Sequence, residues 1–343
     1  MSSLVSVSTR KRAVRAYTMI SLLLAAIIVA FILSMNTGYI RLSPSDVIHT
    51  LFGQGTNKQE LILFEFRLPR IIISVLVGAG LALSGAILQG LSRNALADPG
   101  ILGINAGAGL AVVLFISFYP TNMAAPVFMM PLLAMLGAGI AAAIIYSLSY
   151  KKGVGISPTR LILVGIAVAA GISAAMIVLT IRMNPQNYQF VAVWLAGSIW
   201  GTNWKFVMAL LPWLILFIPF VMYKAKTLNV LQLGDQVASG LGTPIEKERL
   251  SLLVAAVALA GACVAVGGGI GFVGLIGPHL AKQLVGPKNQ FLLPASMLAG
   301  GLLLIVADTL ARWILQPTEI PTGIVVAVIG APYFLYLLAK SKA

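Results

Sequence analysis

The stretch LPRIIISVLVGAGLALSGAILQGL, residues 68–91, decides the architecture. After Arg70 it carries no charge. As a helix rising 1.5 Å per residue it would reach about 36 Å, and the hydrocarbon core of a bilayer is about 30 Å thick. Its small residues, GAGLALSGA at 78–86, fall at the four-residue spacing that lets helix backbones approach closely where lipid supplies no hydrophobic drive for association.

Runs of the same kind recur outward from it in both directions. The candidate spans are 17–35, 68–91, 101–118, 124–149, 159–181, 203–223, 250–267, 271–285, 291–314 and 322–339. The chain has 343 residues, 59% of them hydrophobic and 9% charged, with a mean hydropathy of +0.99. A soluble domain carries about 25% charged residues, so the class is an all-α polytopic membrane protein of about ten helices. The basic segment before the first span, with Arg10, Lys11, Arg12 and Arg15, could open a cleaved signal. The apolar run is longer than such signals use and no small-x-small site follows it; the span is read as retained. Residues 1–16 form a cytoplasmic tail, and 17–343 a single transmembrane domain with a polar loop at 227–249.

The net charge of +14 does not indicate nucleic acid, because the basic residues are scattered between apolar runs rather than gathered on a soluble face. Their sidedness is informative. With ten spans, Arg41, Lys58, Arg67, Arg70, Arg182, Lys205 and Arg312 fall on one side and the rest of the 23 Lys and Arg, including Lys152 and Lys342, on the other. The positive-inside rule then puts both termini in the cytoplasm.

Several features have plain structural readings. Cys263 lies inside an apolar run as a small hydrophobe, and no disulfide framework exists. Gly269, Gly271 and Gly274 in GGGIGFVG (267–274) have dinucleotide-loop spacing, but apolar spans flank them where a strand is required; a helix break or close crossing is the better account. Thr243-Pro244-Ile245-Glu246 has the pattern of a capping box, Ser157-Pro158 opens the fifth span, and Ser43-Pro44-Ser45-Asp46 starts a short outer helix. Ionisable residues inside spans are functional candidates: Asp308 with Arg312 one turn later, which could equally be a local i, i+4 pair, and His279, read as a satisfied interfacial histidine. A proton-coupled carrier would want a mid-depth carboxylate relay, and the spans offer none. No GxxxxGK[ST] occurs, so any ATP is hydrolysed on another polypeptide.

The polar loop LNVLQLGDQVASGLGTPIEKER, 228–249, contrasts with all this. It reads as two short amphipathic pieces with Asp235 as an N-cap and Gly234, Gly240 and Gly242 as breaks, a compact surface for a protein partner or else a solvated connector.

The ordered series RLPR (67–70), SGAILQGLSRNALADPGILGINAGAG (84–109), WLAGS (194–198), LNVLQLGDQVASGLG (228–242), GGIGFVGLIGPHLAK (268–282), ADTLAR (307–312) and EIPTGIVVAVIGAPYFLYLL (319–338) resembles the FecCD type of iron-siderophore and cobalamin permeases of bacterial ABC importers. The resemblance implies a type II importer permease in the bacterial inner membrane that pairs with a second permease subunit, a copy or a paralogue. It implies two ATPase subunits carrying ATP and Mg, an extracytoplasmic substrate-binding protein, and no cofactor, catalytic residue or metal on this chain. The implied cargo is a ferric siderophore, with cobalamin or haem as alternatives in the family and an ion-coupled secondary carrier as the rival class. Carried over by motif position, Leu233, Gly234, Asp235, Gly240, Leu241 and Gly242 belong to the loop that couples to the ATPase. Asn94, Leu96 and Thr159 belong to the cytoplasmic gate, and Arg67, Arg70 and Arg312 dock the binding protein. The sequence departs from the family pattern at Ala95, where Pro is usual, and at Pro158, where a small hydroxyl residue is.

Overall fold

A computed structural model describes residues 2–38, 43–100, 102–119, 128–151, 155–316 and 318–340. Arg41, Lys152 and Lys342, and the starts of the third and fourth expected spans at 101 and 124–127, lie outside the described residues. In chain order the helices are α1 (Ser2–Asn36), α2 (Pro44–Leu51), α3 (Asn57–Glu60), a π-helical stretch (Leu61–Arg67), α4 (Leu68–Ser92), α5 (Ile104–Phe118) and α6 (Met129–Ser149). A two-stranded antiparallel hairpin follows, β1 (Tyr150–Lys151) and β2 (Gly155–Ile156). Then come α7 (Pro158–Thr180), α8 (Pro185–Leu195), α9 (Trp204–Tyr223), α10 (Ala225–Gln232), α11 (Asp235–Gly240), α12 (Ile245–Gly267), α13 (Val273–Val285), α14 (Asn289–Ile314) and α15 (Thr322–Lys340). Among the described residues seven helices are long and apolar enough to cross a membrane: Lys11–Asn36, Asn57–Ser92, Met129–Ser149, Thr159–Thr180, Trp204–Tyr223, Ile245–Gly267 and Asn289–Ile314. Ile104–Phe118 and Thr322–Tyr336 are apolar but shorter.

α4 is the central post, buried along nearly its whole length and packed by α12, α13 and α14. Glycine permits the closeness: a Cβ at Gly78 would fall 2.9 Å from the Gly301 Cα of α14, and one at Gly85 2.6 Å from the Gly274 Cα of α13. Cys263 of α12 is fully buried against α4, opposite Gly80. α1 lays Ala30, Phe31 and Met35 on Leu63, Ile71 and Ile305.

Two helices are half length. α5 and α13 rise about 22 and 20 Å at 1.5 Å per residue, and both begin level with the middle of α4. Gly274 lies against Gly85, and the Asn105 amide donates to the Ile270 carbonyl at 3.3 Å. The chain between α12 and α13 is irregular, with Gly268 at φ 70° and Phe272, a non-glycine, at φ 66°. Irregular backbone at membrane depth is tolerated only when buried in protein with its polar groups bonded. Here Gly269 N–H donates to the Trp194 carbonyl (3.1 Å), Gly268 N–H to Val264 (2.8 Å) and Gly323 N–H to Gly197 (2.8 Å). The glycine run is thus a helix break locked against the ends of α8 and α15.

Ser43 and Asp46 cap α2 reciprocally. The capping box expected at Thr243 is absent: α12 starts at Ile245 behind Pro244 with no side-chain cap. The Thr243 amide is tied to the Ala238 carbonyl at 3.0 Å, and the Glu246 side chain makes no hydrogen bond among the described residues. Asp235 is not the N-cap of α11 either. Gly234 holds that position at φ 109°, because two guanidinium groups claim the aspartate.

Candidate functional site

The polar loop folds as α10 and α11 at the ends of α4, α9, α12 and α14. Gly234 and Gly242, at φ 109° and 76°, make the left-handed turns that L side chains disfavour, so α10, α11 and α12 can reverse direction within a few residues. Ala238 is buried beneath, whereas Leu233, Val237 and Leu241 are 62%, 48% and 63% exposed. Val237 and Leu241, four apart along α11, share one face of it, and Leu233 stands just before the turn at the end of α10.

Three sets of side chains fasten this loop to the bundle. Asp235 Oδ1 accepts from Arg249 Nη2 at 2.9 Å and also from Arg93 Nη2, so one oxygen joins α11 to the second turn of α12 and to the end of α4. Arg93 Nε donates to the Leu231 carbonyl at 3.2 Å. Partial burial works to raise the Asp235 carboxyl, and the two guanidinium groups outweigh it, holding the group below its ordinary value. Asn229 of α10 accepts from the Asn289 backbone (3.0 Å) and amide (2.8 Å) and donates to Gln290 (2.9 Å). Lys224 pairs with Glu248 at 2.8 Å, linking α9 to α12.

Arg93 leads into the expected gate. It ends α4 at φ 52°, and Asn94 follows, its side-chain oxygen accepting from Leu96 N–H at 2.9 Å in a tight turn. Leu96 is half-buried. The connector then climbs back into the bundle and is pinned at Asp98. That buried carboxylate accepts from Gly100 N–H at 2.8 Å, and its other oxygen would stand 2.8 Å from a Cβ at Gly274. The loop carrying Asn94 and Leu96 is therefore held at one end by α10 and α11 and at the other by the start of α13. Thr159 is exposed at the start of α7, and its side chain makes no hydrogen bond among the described residues.

At the opposite end, the three expected docking arginines turn inward. Arg67, Arg70 and Arg312 are 6%, 9% and 5% exposed. Arg70 donates to Asp308 Oδ1 through Nε (3.0 Å) and Nη2 (2.9 Å) and to Glu319 Oε2 through Nη1 (2.7 Å). Arg312 donates to Asp308 Oδ2 (3.1 Å), the Thr37 carbonyl (2.9 Å) and Ser34 Oγ (2.5 Å). Thr322 completes Asp308 at 3.1 Å. Arg67 reaches the Met35 carbonyl at 2.5 Å rather than Glu65. Arg70 and Arg312 are thus brought together on one buried carboxylate, a clamp across α1, α4, α14 and the start of α15. Contact with a partner through these guanidinium groups would need them exposed. Beside the clamp opens a cavity of about 760 Å³ with Trp194, Trp200, Phe190, Gln186, Gln189 and Glu319 in its wall.

His279 is satisfied as expected, 2.8 Å from the Gln283 amide and edge-on to Tyr333. Sequence reasoning counted Arg93 and Arg249 only as inner charges and did not assign Asp98, Asn229 or Glu319. The loop's unusual polarity was the signal for Arg249 and Asn229; nothing local marked the others.

The profile of the FecCD transport family matches residues 26–340. The iron(3+)-hydroxamate import system permease protein FhuG of Bacillus subtilis (strain 168) is 54% identical over 320 residues, covering 92% of this chain and 95% of that one. The Fe(3+)-citrate import system permease protein YfmE of the same organism is 45% identical over 331 residues, covering 96% and 97%. A solved structure described as an inward-facing conformation of a metal-chelate type ABC transporter superposes with a TM-score of 0.83 at 31% identity, over 94% of this chain and 99% of that one.

Proposed function

The chain belongs to the FecCD transport family, and from that membership we propose that it is the permease subunit of an importer that brings a ferric siderophore into the cytoplasm. In this reading ten segments cross the bacterial inner membrane with both termini inside, the half-length α5, α13 and the shorter α15 completing the seven long spans. A second permease subunit pairs with it. Two ATPase subunits carry the nucleotide and Mg, and this chain binds no cofactor. The exposed Leu233, Val237 and Leu241, with Gly234, Asp235, Gly240 and Gly242, fill a groove on the ATPase.

The observation that carries the reading is the shared Asp235 oxygen. A displacement of α11 by the ATPase pulls on Arg93 and hence on the loop bearing Asn94 and Leu96, which gate the pathway together with Thr159. On the outer face the binding protein docks above the clamp; Arg67, Arg70 and Arg312 keep that face in shape, and the wide aromatic and amide-lined cavity beside it receives the released chelate.

The test is reconstitution of the chain with its ATPase and binding protein in proteoliposomes, with uptake of radio-iron hydroxamate as the readout. Uptake should require both ATP on the ATPase side and the binding protein. Uptake driven by a proton or sodium gradient without ATP would overturn the proposal in favour of a secondary carrier.

A further inference from the structure

A second cavity, of about 280 Å³, opens where α4, α10, α13 and α14 meet at the basic end of the bundle, with Gln89, Arg93, Gln232 and Lys282 in its walls beside Pro278 and Pro287. Its charge is one-sided. Lys282 is exposed, and its ammonium meets no acceptor among the described residues. Arg93 commits Nε to Leu231 and Nη2 to Asp235, leaving Nη1 unbonded. The Gln232 amide also has no bond there, and Gln89 makes only long contacts to the Gly274 and Leu275 carbonyls, at 3.3 and 3.4 Å. No carboxylate lines the cavity. Cations at helix C-termini are favoured by the helix dipole, which accounts for where Arg93 and Lys282 stand but not for a recess between them lined with spare donors. Unmet donors around a space of roughly nine water volumes call for a compact group rich in acceptors and negatively charged.

The surroundings say where such a group comes from. An apolar cluster of Ala281, Leu292 and Ala295 with Ile20, Leu23 and Val285 adjoins the cavity, and the Tyr17 ring meets Phe291 edge-on at 5.4 Å. Tyrosine is enriched at the headgroup level, and α1 continues from Tyr17 directly into Arg15, Arg12 and Lys11. The cavity therefore lies at the boundary between acyl chains and water. We propose that it is a phosphate-binding site, filled by the headgroup phosphate of an anionic lipid, with Lys282 and Arg93 supplying the charge and Gln232 a neutral donor.

The experiment is native mass spectrometry of the purified full-length chain in mixed phosphatidylglycerol and phosphatidylcholine. It is paired with acylation of Lys282 measured with and without inorganic phosphate. Phosphatidylglycerol should be retained over phosphatidylcholine by roughly tenfold or more. That preference should vanish in Lys282→Glu and survive in Lys282→Arg. Protection of Lys282 by inorganic phosphate in lipid-free detergent, without lipid retention, would support the site and assign it a soluble source. Equal lipid retention in the wild type and Lys282→Glu with no protection by phosphate would overturn the proposal. So would loss of the retained lipid on assembly with the ATPase subunits, since the cations would then belong to that partner. None of these readouts depends on transport, so they stand or fall apart from the importer reading.

Discussion

Asp308 is the residue on which the outer clamp turns. It is fully buried between Arg70 and Arg312, and removing one partner of a buried ionic group leaves uncompensated charge at a cost of about 3–5 kcal/mol. Asp308→Ala should therefore lower the thermal unfolding temperature of the purified chain in detergent far more than Glu319→Gln, because Glu319 is part-exposed and its one ion pair among the described residues is with Arg70. Equal, small shifts in both would deny the clamp its structural role. Asp235 behaves differently because it faces water. With its carboxyl held below the ordinary value of about 3.9, its ion pairs are fully present above that pH and are lost only as pH falls through the lower, folded-state value. Iron taken up per ATP hydrolysed should consequently be flat between pH 6 and 8, and a slope traced to Asp235 by Asp235→Asn would contradict this. Neither role could be read locally: Arg70 and Asp308 are 238 residues apart and Arg93 and Asp235 142 apart. The positive-inside rule marked Arg70 and Arg312 as anomalous, but it could not say that the anomaly was resolved internally.

Among the elements, α11 is the proposed lever. Nothing lies within 4 Å of a Cβ built on Gly240, so Gly240→Trp leaves the chain's own packing untouched and adds bulk only toward a partner. The variant should reach the membrane in normal amounts and fail in uptake; normal uptake would remove α11 from the ATPase interface. Arg93→Gln and Asp235→Asn should each lower uptake per ATP, and the double variant should be no worse than the single ones, the non-additivity expected of groups that act through one contact. Additive losses would separate them. The long helices were legible because lipid imposes one requirement, continuous apolarity, along a whole span. Capping was less so. At Ser43 the side chains cap as the pattern predicts, whereas at Asp235 ionic partners from other helices overrode the pattern and at Thr243 a backbone bond to Ala238 took its place.

For the whole molecule, the expected gate is a property of two chains. Cysteines at Asn94 or Leu96 should crosslink to the partner permease in the resting complex and block uptake, and absence of a crosslink in every nucleotide state would put the constriction elsewhere. Seven of the expected spans coincide with helices long and apolar enough to cross a membrane. The depth at which α5 and α13 begin was not readable, since an apolar sequence looks the same whether it starts at the surface or in the middle of the bundle. The shortness of α13 bears on how the protein is made. At about 20 Å, and carrying Pro278, His279 and Lys282, it is too short and too polar for the insertion machinery to recognise as a span by itself. In the proposed ten-span arrangement it enters the bilayer as cargo of its neighbours, threaded in when α14 arrives to pack beside it. With single cysteines introduced within residues 273–285, a released chain ending at residue 285 should therefore leave them accessible to a water-soluble thiol reagent, and one extended past residue 314 should shield them.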